Sequence, residues 1–228
     1  VMSISYGPSI STDSLRYYID AANPKCYPGS GSTVTDLSGS GRQGTLTNIS
    51  FTNTNGGSFD FGSNPSLSFT GNVLNVGAFT VEAFVKTPSI NDINRTYYAL
   101  GNGSSNGIWF FKHRIGLGNK LVLHAWDGVN PRVDVISTDV VPDNIETHVA
   151  ATFNGNQYQL YINGSANGNA VTDNAPAATS SNEFIGAFDA AGNNDCVGSI
   201  YSLKIYDRAL SSTEIAQNFN ASRARFGI

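Results

Sequence analysis

Charge is scarce in this chain of 228 residues: Lys, Arg, Asp and Glu together make up 13%, and only four positions are glutamate. Such a chain has too few charged side chains to solvate many amphipathic helices, whereas its 24 glycines suit short strands joined by turns. The balance of 13 basic against 17 acidic residues, a net charge of −4, gives no electrostatic footprint for nucleic acid. No stretch approaches the roughly 18 consecutive apolar residues of a membrane-spanning helix. The opening VMSISYGPSI lacks the charged-then-apolar order of a secretory leader. Cys26 and Cys196 are the only cysteines and have no CxxC spacing, which excludes the usual zinc sites. The histidines, His113, His124 and His148, fall in or beside strand patterns with no HExxH among them, and GNGSSNG lacks the lysine and the helix of a phosphate loop.

What is present is alternation. Apolar-polar runs recur at Leu15–Ile19, Phe59–Phe61, Ser66–Phe69, Phe79–Lys86, Tyr97–Gly101 and Ile108–His113, then at Leu121–Trp126, Val133–Ser137, His148–Phe153, Gln157–Ile162 and Ser199–Tyr206. Each is bounded by Gly, Asn, Asp, Ser or Pro, the punctuation of strands. In ATFNGNQYQLYINGSAN, residues 151–167, Asn154-Gly155 and Asn163-Gly164 predict two tight hairpin turns between three successive antiparallel strands. One helix is predicted from Ser211, where the Ser211 hydroxyl and Glu214 three residues on form a capping box. Ile215 and Phe219 then lie on its inner face. The reading is one all-β domain over 1–228, a two-sheet antiparallel jelly-roll sandwich with one short C-terminal helix and tail at about 211–228. Phe79, Val81, Phe84, Leu160, Ile200, Leu203 and Ile205 are its expected core. Alternation forbids Val81 and Phe84 from sharing a sheet face, so one belongs between the sheets and the other under the helix or outer loops.

The two ends carry the most specific pattern. LRYYIDAANPKCYPGSGSTVTDLSGSGRQGTL at 15–46 reads as a strand, a turn region and the start of another strand, and GSIYSLKIYDRALSSTEIAQNFNASRARFGI at 198–228 reads as a strand, a turn and the capped helix. Such a bracket suits a sheet protein whose first and last strands lie side by side. Cys26 and Cys196 would then be near enough either to bridge or to remain two free thiols. Phrase by phrase, these segments resemble the laminin-G-like (concanavalin A-like lectin/glucanase) domains of tailed-bacteriophage virion proteins. The resemblance implies a virion surface protein, made in the host cytoplasm without a signal peptide and released by lysis. Its expected partners are a cell-surface glycan or other virion proteins. Asp36 matches the opening motif, and an Asp at the start of a Ser-Gly-rich turn can accept the turn's backbone amides, a structural role.

Function follows from three constellations. Glucanases of this fold need paired carboxylates about 5–9 Å apart; in laminarinase- and lichenase-like members these come from an E-x-D-x-x-E strand. None of Glu82, Glu146, Glu183 and Glu214 starts that pattern, so no catalysis is expected. Strand alternation places Trp109, Phe111, His113, Val122, His124 and Trp126 on one face, either as core or as a stacking platform for sugar rings. Loops 101–106, 127–131 and 187–195 collect amides and acids. If they converge, Asn102, Asp127, Asn130, Asn193 and Asn194 join Trp109 and Trp126 as ligand-binding residues. Calcium, which takes six to eight oxygen ligands, is then expected at Asp189 and Asp195; rim-bound calcium is also what the family resemblance implies. The rim near Asp36 is expected to shape a turn only. A structural module docking through the basic tail NASRARFGI is the alternative function; a polysaccharide depolymerase is the less favoured one.

Overall fold

A computed structural model describes residues 8–69, 73–89, 94–101, 107–112, 117–128, 133–177, 183–189 and 194–228. Chain order runs β1 (Leu15–Asp20), β2 (Thr33–Thr35), β3 (Gln43–Thr52), β4 (Ser58–Phe69), β5 (Phe79–Lys86), β6 (Arg95–Leu100), β7 (Gly107–Lys112) and β8 (Lys120–Trp126). It continues with β9 (Val133–Val140), β10 (Thr147–Phe153), β11 (Gln157–Ile162), β12 (Ser165–Ala166), β13 (Val171–Thr172), β14 (Glu183–Ile185), β15 (Gly198–Tyr206) and α1 (Ser212–Arg223). Among the described residues no helix is long and apolar enough to cross a membrane.

All the pairings are antiparallel, and one ladder, β12-β11-β10-β5-β15-β4-β14-β6-β7-β8-β9, curls back on itself into a sandwich. Two long strands make the fold-over possible. β4 pairs with β15 through Phe59–Phe61 and with β14 through Leu67–Phe69, and β3 follows both halves along its other edge. The shift of register between Thr47 and Ile49 leaves Asn48 at φ 52°, a bulge that bends β3 along with β4. At the far end β11 packs over β8 and β9 without pairing, which closes the two layers on each other. The first and last strands are neighbours, as expected: Leu15 faces Tyr206 and Asp20 faces Ser202. Cys26 and Cys196 nevertheless stay buried free thiols, and burial pushes each up to about 12.

The expected core residues are all fully buried. Val81 packs between the layers, whereas Phe84 turns to the other face, where it stacks on Phe226 at 4.6 Å and on Phe219 at 6.2 Å. Alternation on one strand thus serves two cores. The helix roofing that second face begins as its sequence directs. Ser211 Oγ accepts the Glu214 amide and the Glu214 carboxylate accepts the Ser211 amide. Ile215 is buried, while the ring of Phe219 lies against Phe84 and His148.

The turns divide. Asn163 and Gly164 both take positive φ, 48° and 77°, in the tight turn expected of them, and a Cβ on Gly164 would lie 2.9 Å from the Phe219 ring. At the other turn only Gly155 has positive φ. Asn154 instead accepts the amides of Asn156 and Gln157 with its side chain and donates its own amide to the Gln157 carbonyl, so the turn centres on Gly155-Asn156, one residue beyond the expected pair. The tail is also different from expectation. Arg225 pairs with Asp20 and donates to the carbonyls of Asn55 and Gly57, and Phe226 stacks on Phe84. Through Arg225 and Phe226 this tail is a built-in clasp, while Arg223 and Ile228 stay exposed.

Candidate functional site

Strands β6 to β9 present one face to the main core through Ile108, Phe110, Leu121, Leu123 and Val135. Alternation sends Trp109, Phe111, Val122, His124 and Trp126 to the opposite face, where they form a cluster of their own with Ala99. The ring of His124 stands edge-on to three neighbours: Phe111 at 4.8 Å, Trp109 at 5.5 Å and Trp126 at 5.6 Å. Trp109 stacks on Phe111 at 4.1 Å and meets Phe188 at 4.7 Å. His124 Nε2 is 3.3 Å from the Asp134 carboxylate on β9, which sits across from it in register. The single-face expectation therefore holds for these residues, and His113 lies outside the described residues.

Burial changes what the row can do. Both Trp109 and Trp126 are only 8% exposed, so the row is a second hydrophobic core, not an open shelf of indoles. Trp109 is further fixed by its Nε1–H, which donates to Thr96 Oγ1 at 2.8 Å.

The chain leaves β6 and β8 at one end, as expected for two of the three acid- and amide-bearing loops, but leaves β14 at the other. Gly107 faces Trp126 and Leu100 faces Ile108, so Trp126 and Asp127 mark one end of these strands. β14 runs against β6, with Glu183 opposite Leu100 and Ile185 opposite Tyr98, and so carries the chain toward Arg95. There Thr96 Oγ1 donates to the Asn194 carbonyl at 2.7 Å and Arg95 pairs with Asp195 at 3.1 Å. Six residues of β6 separate the two ends, about 20 Å at 3.3 Å per residue. Asn194 thus joins Trp109 through Thr96, whereas Asp127 lies at the other end, beyond Trp126, which meets Trp109 only through the His124 cluster. Asn102, Asn130 and Asn193 fall outside the described residues.

At the Trp126 end the structure brings in a residue the sequence reading missed. After β13 the chain returns beside β8, with the Ala177 amide donating to the Trp126 carbonyl at 2.7 Å. Exposed Asn174 then reaches Asp127 at 3.4 Å between Nδ2 and Oδ2. The polar run TDNA at 172–175 was the available signal, but its position beside β8 is a tertiary fact.

Calcium fits this arrangement poorly. Asp195 spends one oxygen on Arg95 and the other on the Asn64 amide. Among the described residues no three His, Cys, Asp or Glu side chains gather to hold a metal ion.

The glutamates are each held by internal partners. Burial alone would raise the Glu82 carboxyl, but the Lys204 ammonium and then His148 hold it at about 2. Glu146 accepts from Lys86, Asn55 and Tyr201, and its carboxyl lies below the usual range. Arg208 and the helix cap hold Glu214 at about 2. Burial pushes Glu183 upward, the direction a general acid needs, yet it is sealed from solvent and accepts from Tyr98 and from the Val73 and Leu74 amides.

The fold is shared by many solved structures, among them the following three. Domain 4 of an extracellular arabinanase from Geobacillus stearothermophilus, solved in complex with arabinotriose, superposes with a TM-score of 0.71 at 17% identity, covering 90% of this chain and 98% of that domain. The binding domain of Paraclostridial Mosquitocidal Protein 1 gives 0.71 at 19% identity, covering 92% of this chain and 52% of that one. Botulinum neurotoxin type C, in a study of its interaction with two ganglioside molecules, gives 0.68 at 15% identity with 92% and 52% coverage. The chain thus spans about half the length of the toxin chains. No curated protein matches it in sequence. A family model described as the concanavalin A-like lectin/glucanases superfamily matches residues 61–216.

Proposed function

Because the chain belongs to the concanavalin A-like lectin/glucanases superfamily, we propose that it is a non-catalytic glycan-binding module. The observation that carries the reading is the match to the arabinanase domain, which is nearly complete in both directions and whose partner is a bound oligosaccharide. The internal commitment of Glu82, Glu146, Glu183 and Glu214 supports binding without hydrolysis, since glycoside cleavage needs a carboxyl pair open to substrate. The contact region is the Trp126 rim. There Asp127 and Asn174 offer an acceptor and an amide to sugar hydroxyls beside the edge of an indole.

The finer reading places the module on the surface of a tailed-bacteriophage particle, facing host glycans. Its support is the pair of end motifs at 15–46 and 198–228. Many copies per particle would make weak single sites effective.

The test is an array of host-surface glycans probed with multimerised protein, with and without calcium. Asp127→Ala and Asn174→Ala should weaken the bound signal while leaving the melting temperature in place. Protein that binds no glycan under either condition would sink the reading.

A further inference from the structure

A separate cleft opens where β1, the turn before β3, the segment after β4 and the residue following β15 meet. Arg16, Arg42, Val73, Leu74, Asn75 and Asp207 line about 380 Å³ there. This is the rim near Asp36, which composition alone marked as mere turn.

Both walls are built rigidly. On one side Asp36 Oδ1 accepts the Tyr18 and Ser38 amides, each at 2.8 Å, and the Asp36 amide donates to the Arg42 carbonyl at 3.1 Å. The turn carrying Arg42 is thereby tied to β1. On the other side the buried Glu183 carboxylate accepts the amides of Val73 and Leu74.

The polar groups of this cleft are unevenly spent. Arg16 places both its Nε and its Nη2 on Asp207 Oδ2. Arg95, Arg208 and Arg225 are likewise paired with acids elsewhere. Arg42 has no carboxylate partner among the described residues; its guanidinium donates to the Arg16 carbonyl over a long 3.4 Å. Among the described residues Arg16 meets Asp207 through Oδ2 alone, which leaves Oδ1 to accept. Asn75 uses Oδ1 to accept the Gly77 amide at 3.0 Å, which leaves its Nδ2 to donate outward. Val73 and Leu74, each 6% exposed, add an aliphatic floor.

We propose that this cleft binds the carboxylate of an acidic sugar residue. A guanidinium is a planar fork whose donors match the two oxygens of a carboxylate. Flanking that fork, Asp207 Oδ1 accepts from a ring hydroxyl and Asn75 Nδ2 donates to another, while the floor takes the C–H face of the ring. Inorganic phosphate offers the fork an anion but has neither the ring hydroxyls nor the C–H face that Asp207, Asn75 and the aliphatic floor address. The choice of a sugar as the carrier of that carboxylate rests on the glycan-binding reading, whereas the cleft itself lies apart from the Trp126 rim.

Calorimetric titration of the full chain with glucuronic acid, glucose and inorganic phosphate tests the assignment. Saturable binding of glucuronate is expected, weakened by added salt and lowered about tenfold or more in Arg42→Gln, as loss of a charge-assisted pair requires. Asn75→Ala should weaken it less. The long Arg42 contact predicts that Arg42→Gln melts like the parent. Glucuronate that does not bind, that binds Arg42→Gln equally, or that is matched by phosphate overturns the proposal. Asp127→Ala separates the two sites: loss of glycan-array binding in that variant with intact glucuronate binding concerns the rim alone.

Discussion

Lys204 and Glu82 face each other directly across β15 and β5, with 2.9 Å between Nζ and Oε1, on the sheet face roofed by α1. Both are buried, and the Glu82 oxygen that takes the ammonium also takes the Asn218 amide from the helix at 2.9 Å. Asn218 in turn reaches Tyr206 and accepts the Ser11 amide, so one buried carboxylate ties together a strand pair, the helix and the N-terminal segment. Removing one partner leaves an uncompensated charge. Lys204→Met should therefore cost about 3–5 kcal/mol in urea unfolding, whereas Glu82→Leu with Lys204→Met should cost far less than the sum of the single changes.

The same pair predicts the acid limb of stability. Glu82 is held at about 2 in the fold, below its ordinary 4.5. Its contribution is complete above pH 4.5 and is lost as pH falls through 2. Chemical denaturation between these limits should show a decline that is shallower in Glu82→Leu/Lys204→Met, where Glu214 and Glu146 still contribute theirs. An identical decline in the double variant would assign the acid sensitivity to other carboxylates.

At the start of α1, Ser211→Ala removes one half of the capping box and should lower stability by about 1 kcal/mol. Ser211→Asp, which keeps an acceptor at the cap, should restore most of it.

The clasp at the C-terminus makes a sharper prediction. Arg225→Ala breaks the pair with Asp20 and strips the Asn55 and Gly57 carbonyls of their donor, so it should cost about 1–3 kcal/mol. Deleting residues 220–228 removes Phe226 from Phe84 and Tyr201 as well. The truncated chain should fail to give a cooperative melt; a sharp transition near the parent's temperature would show that the tail is dispensable.

Chelation addresses the rim where calcium was expected. With Asp195 engaged by Arg95 and Asn64, EDTA should leave the melting temperature and glycan binding unchanged. A rise of several degrees on adding calcium would place an ion there after all.

Much of this architecture is legible in short stretches of sequence, because the signals that direct it act over a few residues. Period-two alternation put Val81 and Phe84 on opposite faces and gathered Trp109, Phe111, His124 and Trp126 on one. The Ser211–Glu214 box, the Asn163-Gly164 turn and the Asp36 turn are likewise local hydrogen-bonding or backbone preferences that travel with the sequence. What tertiary structure alone decided involves residues far apart. The antiparallel pairing of β14 with β6 sends Asp195 to the Arg95 end, away from Trp126, and no spacing within either loop encodes that direction. Both tryptophans are buried on the face away from the main core, where Phe188 from the segment after β14 packs on Trp109; alternation could name their face but not their exposure. Ion pairing is the extreme case. Arg225 finds Asp20 across 205 positions while Arg42 meets no acid among the described residues, because which charges meet depends on the packing of distant strands and turns and not on their neighbours in sequence.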